Sequence, residues 1–321
     1  MKRYLFPKDY MADPAAHVFN GRVYIYPSHD RDSEAGENDN GDHFQMKDYH
    51  VLSTDDLMNG EVVDHGKILD TDDILWAGKQ LWDSDVVEKD GKYYLYFSLK
   101  DKTGVFHLGV AIADRPEGPF IPQPDPIRGS YSIDPCVFKD DDGKVYIYFG
   151  GIWGGQLQWY KDNCMVENSV LPKGNEPAIQ PRVAKLSEDL LQFAEEPRPL
   201  VILDEHHQVM QAENPHHFFE ASWMHKYNGR YYFSWSTGDT HMLCYAVGDN
   251  PYGPFVFQGV ILTPVIGWTT HHSILEHKGK WYLLHHDCVP SEGKTWLRSL
   301  KVCELEYDKE GKIKTIEGID K

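Results

Sequence analysis

One phrase occurs five times along the chain: NGRVYIYPSHD from Asn20, DGKYYLYFSLKD from Asp90, DGKVYIYFGG from Asp142, NGRYYFSWSTGD from Asn228 and KGKWYLLHHD from Lys278. Each copy sets Asn-Gly, Asp-Gly or Lys-Gly before an aromatic and β-branched run, the pattern of a tight hairpin turn feeding a strand. Glycine supplies the positive φ that such a turn demands. A short apolar stretch precedes each turn (HVF, DVVE, CVFK, WMHKY and SILEH), so every unit reads strand, turn, strand. More strands follow in most units, and FHLGVAIADRPEGPF and HMLCYAVGDNPYGPF repeat each other's ending from Ala113 and Val247. The spacing between the turn glycines (Gly21, Gly91, Gly143, Gly229, Gly279) varies but stays within the range of four-stranded blades. The chain carries no sustained helical periodicity and no Pro/Gly/Ser linker, which a pair of β-sandwiches would need. The repeats therefore predict an all-β fold, a five-bladed β-propeller, as a single domain over residues 1–321. The acidic segment DRDSEAGENDNGD, from Asp30 to Asp42, reads as a solvated loop.

Charge narrows the partners. A formal net charge of −18 opposes nucleic acid or an anionic membrane surface, which hold proteins through basic residues. No apolar run approaches the roughly 18 residues of a membrane span. Aromatic residues make up 13% of the chain, with nine Trp and nineteen Tyr. Flat rings stack on sugar faces and also fill large β cores, and composition leaves both readings open. Five cysteines (Cys136, Cys164, Cys244, Cys288, Cys303) without a CxxC pair suggest free, mostly buried thiols. The start, MKRYLFPKDY, reaches Pro7, Lys8 and Asp9 without the apolar stretch of a signal peptide. A chain trimmed of such a peptide would begin the same way, so the compartment stays open.

Aligned on their turn glycines, the five units place Asp13, Asp83, Asp134, Glu220 and His271 eight or nine residues upstream, where an innermost strand would meet a central channel. Any one of these acids could cap a strand or bind turn amides. Four at one level of one axis need a further reason, because buried carboxylates are costly unless paired, solvated or bound to a cation. Converging carboxyl groups are the equipment of glycoside hydrolysis: a protonated one serves the leaving oxygen, and an ionised one acts at the anomeric carbon. Crowding of like charges would keep one of them protonated near neutral pH.

With these residues in place, the sequence resembles family 43 of the glycoside hydrolases over almost its whole length, through ADPAAHVFNGRVYIYPSHD, SIDPCVFKDDDGKVYIYFGG, HHFFEASWMHKYNGRYYFSWS, THHSILEHKGKWYLLHHD and TWLRSL. The resemblance implies an inverting enzyme in which Asp13 activates water, Asp134 tunes and orients, and Glu220 protonates the leaving group. Inversion needs room for a water, which puts the Asp13 and Glu220 carboxyls roughly 6.5–9.5 Å apart. His271 matches the imidazole that faces a central cation or water, usually calcium, although calcium prefers oxygen ligands. Arg298 matches an arginine that reaches the buried sugar, and Trp82 a tryptophan that walls the pocket. Phe219 either lines that pocket or packs in the core. His272 should point the opposite way from His271. The second-blade motif here reads Trp82-Asp83-Ser84-Asp85, without the family's proline, and Ala221-Ser222 stand where Gly-Pro is common. The pairs His216-His217 and His285-His286 face opposite sides of their strands and cannot easily chelate one ion.

The resemblance implies release of terminal β-D-xylose or α-L-arabinofuranose from plant-polysaccharide oligosaccharides, with xylosidase activity favoured, and no organic cofactor. It also implies that loops such as Asp30–Asp42, or a second subunit, shape the product side in place of an appended β-sandwich. An endo-arabinanase would need an open groove instead, and a propeller lectin would bind the sugar without cleaving it.

Overall fold

In the computed structural model of the chain, which describes residues 1–319 apart from 168 and 269, the repeated turns build five antiparallel sheets around an axis. Residues 320 and 321, the end of the expected domain, lie outside the described residues. At Asn20-Gly21, Asp90-Gly91, Asn228-Gly229 and Lys278-Gly279 both central residues have positive φ, as a two-residue turn matched to strand twist requires. The third copy differs. Lys139 pairs with Val145 across a longer loop, where Gly143 has φ +81° and the preceding Asp142 is not left-handed.

The first strand of each unit lies innermost: Met11–Phe19, Ala77–Lys89, Cys136–Lys139, Glu220–Tyr227 and His272–His277. Each touches the inner strand of the next blade, and the fifth touches the first, which closes a ring. Blades 1, 2 and 3 have four strands, and blade 4 has five because Ile202–Leu203 adds in parallel to its edge. The core lies between blades, in layers of aromatic and β-branched residues such as Tyr26, Tyr96, Tyr148, Phe233 and Trp235. No α-helix occurs among the described residues, and none is long and apolar enough to cross a membrane. Four cysteines are buried, Cys164 is exposed, and no disulfide joins any of the five.

Blade 5 takes its outer strand from the other end of the chain. Lys2–Tyr4 pairs antiparallel with Ser299–Leu305, with Lys2 opposite Cys303 and Tyr4 opposite Lys301. The Tyr4 hydroxyl donates to Asp287 at 2.9 Å, and Asp287 is also paired with the buried Lys301 at 2.9 Å. Arg3 donates to the carbonyls of Leu57 and Gly60 in blade 1, so the same three residues tie the last blade to the first. Buried Leu5 continues this contact. Deleting residues 1–5 removes those pairs and one buried leucine, about 3 kcal/mol in all. The expected result is a melting temperature lowered by several degrees, and an unchanged value would show that ring closure does not depend on this strand.

Candidate active site

The inner strands carry the acids of the alignment to one level of the axis by local irregularity. Pairing slips between Ala12 and Ala15, between Leu81 and Ser84, and between Glu220 and Trp223. Asp13, Asp83 and Glu220 therefore sit at bulges, which re-aim side chains at strand ends. Asp13 (φ 51°) and Asp134 (φ 57°) are left-handed, a conformation aspartate tolerates better than most residues.

His271 stands at the centre of the group. Its Nδ1 lies 2.6 Å from Asp83 and 3.7 Å from Asp13, and its Nε2 lies 3.2 Å from Glu220 and 3.9 Å from Asp134. Burial works against a proton on this ring, but Asp83, Asp134 and Asp13 outweigh it and push the imidazole well above its ordinary value. Asp134 is buried, accepts from the Ala221 amide at 2.7 Å and leaves Oδ1 without a hydrogen-bond partner. Burial and the neighbouring Asp83 push its carboxyl well above the usual range, so the acid that crowding raises here is Asp134. Asp13 behaves oppositely: burial resists its ionisation, yet Arg298, His271 and His286 hold it down at about 2.

Arg298 supplies the second cation. Its Nη1 reaches Asp13 at 2.7 Å, while its main-chain N–H, Nε and Nη2 converge on Asp30 at 2.7–2.9 Å. Burial opposes the guanidinium charge, but the two aspartates hold it firmly protonated. Burial also pushes the Asp30 carboxyl up to about 6 against the pull of Arg298.

Above this group opens a cavity of about 540 Å³. Trp82, Phe219, Glu220, His271 and Arg298 all line it, and Asp13 and Asp134 lie in a small chamber directly beneath, with Asp83 and His271 common to both. Trp82 is both wall and core: its Nε1 donates to the Phe44 carbonyl at 3.0 Å, and its ring packs 4.7 Å from Phe106. Gly41 makes room for it, since a Cβ there would sit 2.6 Å from the indole. Phe219 meets Trp153 edge-on at 5.3 Å, and Trp153 stacks on Trp268 at 5.5 Å. His272 turns away, as alternation requires, and bonds Ser234 at 2.6 Å.

The acidic segment is not wholly solvated. Glu37, Asn38, Asp39 and Gly41 line the cavity, and Asp30, its first residue, is buried beside Arg298 because only there can it satisfy that cation. Asp30 was missed by the alignment, as was His286, whose Nδ1 lies 3.4 Å from Asp13. Both lie in the closing residues of a repeated phrase, Asp30 nine residues after Gly21 and His286 seven after Gly279, so no common offset marked them. Trp153 and Trp268 stand outside the repeated phrases and carried no periodic signal. Asp85 is structural, with one oxygen 2.5 Å from His17 of blade 1 and the other accepting from Val137 of blade 3 at 2.7 Å.

Two overlapping sets could hold a cation. Asp13, Asp83 and His271 bring one ligand atom each within 4.8 Å of one another, as do Asp134, Glu220 and His271. Asp13 Oδ2 and Asp134 Oδ1 are buried with free lone pairs. Replacing Arg298 with methionine would strip Asp13 and Asp30 of a shared counter-charge. That substitution should destabilise the fold by about 3–5 kcal/mol in chemical denaturation, and an unchanged midpoint would show the pair to be energetically idle.

Comparison with known proteins agrees with this geometry. The family model described as glycosyl hydrolases family 43 matches residues 8–313. A xylosidase/arabinosidase of Bacteroides ovatus is 69% identical over 320 residues, 99% of this chain and 98% of its own. The solved RS223 β-xylosidase is 66% identical with a TM-score of 0.98, covering 100% of this chain and 99% of its own. A β-xylosidase/α-arabinofuranosidase from a compost microbial metagenome, solved with xylotriose in a calcium-free form, is 56% identical with a TM-score of 0.97, covering 99% of this chain and 98% of its own. The five-bladed fold, the ring of carboxyl groups and the match along nearly the whole chain place this protein in family 43 of the glycosyl hydrolases.

Proposed function

We propose that this protein is an inverting, exo-acting glycosidase that removes terminal β-D-xylose or α-L-arabinofuranose from plant-polysaccharide oligosaccharides. The observation that carries the proposal is the placement of Asp13 and Glu220 about the His271 ring, 3.7 and 3.2 Å from its nitrogens, with Glu220 lining a walled cavity and Asp13 in the chamber beneath it. With the imidazole and its two contacts between them, the carboxyl groups do not touch, which supports the room for a water that inversion requires between base and sugar.

In this reading Asp13 is the general base. Arg298 and the two histidines keep it ionised, so it can take a proton from a water as the oxygen attacks the anomeric carbon. Glu220 gives its proton to the glycosidic oxygen as the carbon–oxygen bond breaks, and the anomeric configuration inverts. Asp134 positions the acid through the Ala221 amide, the residue next to Glu220. Trp82 and Phe219 wall the terminal sugar, and Arg298 both orients Asp13 and presents the remaining guanidinium edge to it.

The walls support exo action. A Cβ on Gly154 would lie 2.8 Å from the backbone of Asn40, so the blade-1 acidic loop and the blade-3 loop meet at one side of the cavity. An arabinanase groove would need that side open. The names of the relatives, xylosidase and arabinosidase, support the choice of pentoses.

A divalent cation fits the chamber below. Asp13, Asp83 and His271 would hold it, with carboxylate oxygens as the larger part of the donor set. When bound, such an ion supplies positive charge that offsets repulsion among the four carboxyl groups.

Three measurements test these roles. Aryl β-xyloside and aryl α-arabinofuranoside should both be cleaved, with α-xylose as the first product seen by NMR; β-xylose first would overturn inversion. Asp13→Ala should lose at least ~10²-fold in rate on every substrate, while Glu220→Ala should lose far less on leaving groups that need no proton. Equal losses across leaving groups would remove the assigned roles. Calcium added to the chelator-stripped protein should raise the melting temperature of the wild type and leave that of His271→Ala unmoved; a stripped wild type indifferent to calcium would refute the cation.

A further inference from the structure

We propose that His29, Asp48 and His50 form a second metal site, on blade 1 and separate from the axial carboxylates, that takes a borderline divalent ion such as zinc in preference to calcium. Ser28 pairs with Tyr49 across the second and third strands of the blade, so His29 and Asp48 are cross-strand neighbours. His50 follows Asp48 by two residues and so shares its face. The topology thus delivers two imidazoles and one carboxylate to a single patch, and one ligand atom of each lies within 4.8 Å of the others. The two rings are 4.6 Å apart between centroids.

The surroundings match a metal site. Asp48 Oδ1 is 2.8 Å from His29 Nδ1, and Arg31 holds the other carboxylate oxygen at 2.7 Å, which fixes its orientation. Asp9 lies 3.2 Å from His29 Nε2, and Asp64 lies 3.0 Å from His50 Nδ1. Carboxylates that brace imidazole ligands in this way orient the rings and raise their basicity. With both rings neutral, three carboxylates face one guanidinium, leaving two negative charges uncompensated, the complement of a divalent ion. Both histidine side chains keep 16–17% exposure, enough for the ion to enter and for solvent to complete its shell. Two nitrogens and one oxygen suit zinc and its neighbours and disfavour calcium, which takes six or more oxygens. Tyr49, between two of the ligands, turns to the opposite face and donates its hydroxyl to the Trp82 carbonyl. An ion at this patch therefore clamps the strand that supports the cavity wall.

The test uses the full chain stripped by chelation and titrated with zinc alone by calorimetry, with melting temperature as a second readout. Wild type should bind one more zinc than His50→Ala, and His271→Ala should keep the zinc that His50→Ala loses. Zinc should raise the melting temperature of His271→Ala, and equimolar calcium should not displace it. His50→Gln, which keeps the reach without the imidazole, serves if the alanine variant does not fold. Zinc stoichiometry unchanged in both His50 variants, or displacement of this zinc by equimolar calcium, overturns the proposal.

Discussion

The interaction on which the centre of this molecule depends is the pairing of converging acids with two buried cations. Asp13, Asp83, Asp134 and Glu220 approach one point, and four ionised carboxyls so close together in a dry channel would be prohibitively costly. The structure answers in three ways. Arg298 binds Asp13 and Asp30 through a four-bond fork. His271 sits between the acids with its pKa raised by them. Asp134 is pushed towards its neutral form by burial and by Asp83. The outcome is a separation of states within a few ångströms, with Asp13 held ionised and Asp134 driven towards protonation.

That arrangement is only as firm as the ring that carries it. Each acid rides on an inner strand or, for Asp134, just before one, and the inner strands touch in sequence from blade 1 round to blade 5. The pairing of Lys2–Tyr4 with Ser299–Leu305 joins the chain ends within one blade, so blades 1 and 5, which provide Asp13 and His271, cannot drift apart independently. Asp85 adds a further tie among blades 1, 2 and 3 beneath the site. Bulges then aim Asp13, Asp83 and Glu220, while Asp134 stands two residues before its strand.

The cavity walls come from a different source. Trp82 belongs to an inner strand, but Trp153, Trp268 and the acidic loop belong to connections between strands. Their close fit relies on small residues at the contacts: Gly41 under the Trp82 indole and Gly154 against Asn40. A rigid floor bearing the charged groups and loop-built walls above it is the division expected when a repeated scaffold hosts one particular reaction.

Much of this was legible from the chain. The five phrases that open on turn glycines gave the number of blades, and counting back from each glycine gave Asp13, Asp83, Asp134, Glu220 and His271, because strand periodicity keeps equivalent residues at equivalent heights. Arg298 and Trp82 were expected from the family resemblance, Phe219 was singled out beside Glu220 with core packing as the alternative, and all three line the cavity. Asp30 and His286 were not found, since their importance lies in contacts across hundreds of residues, to Arg298 and to Asp13. The longer third turn and the closure of blade 5 by the opposite end of the chain likewise have no local signature. The sequence by itself determined the repeat, the strands and the level at which the acids meet, because those follow from turn chemistry and a two-residue period. Only the tertiary structure decided which acid is ionised, which is raised and what closes over them, because those depend on burial and on charges brought together from distant blades.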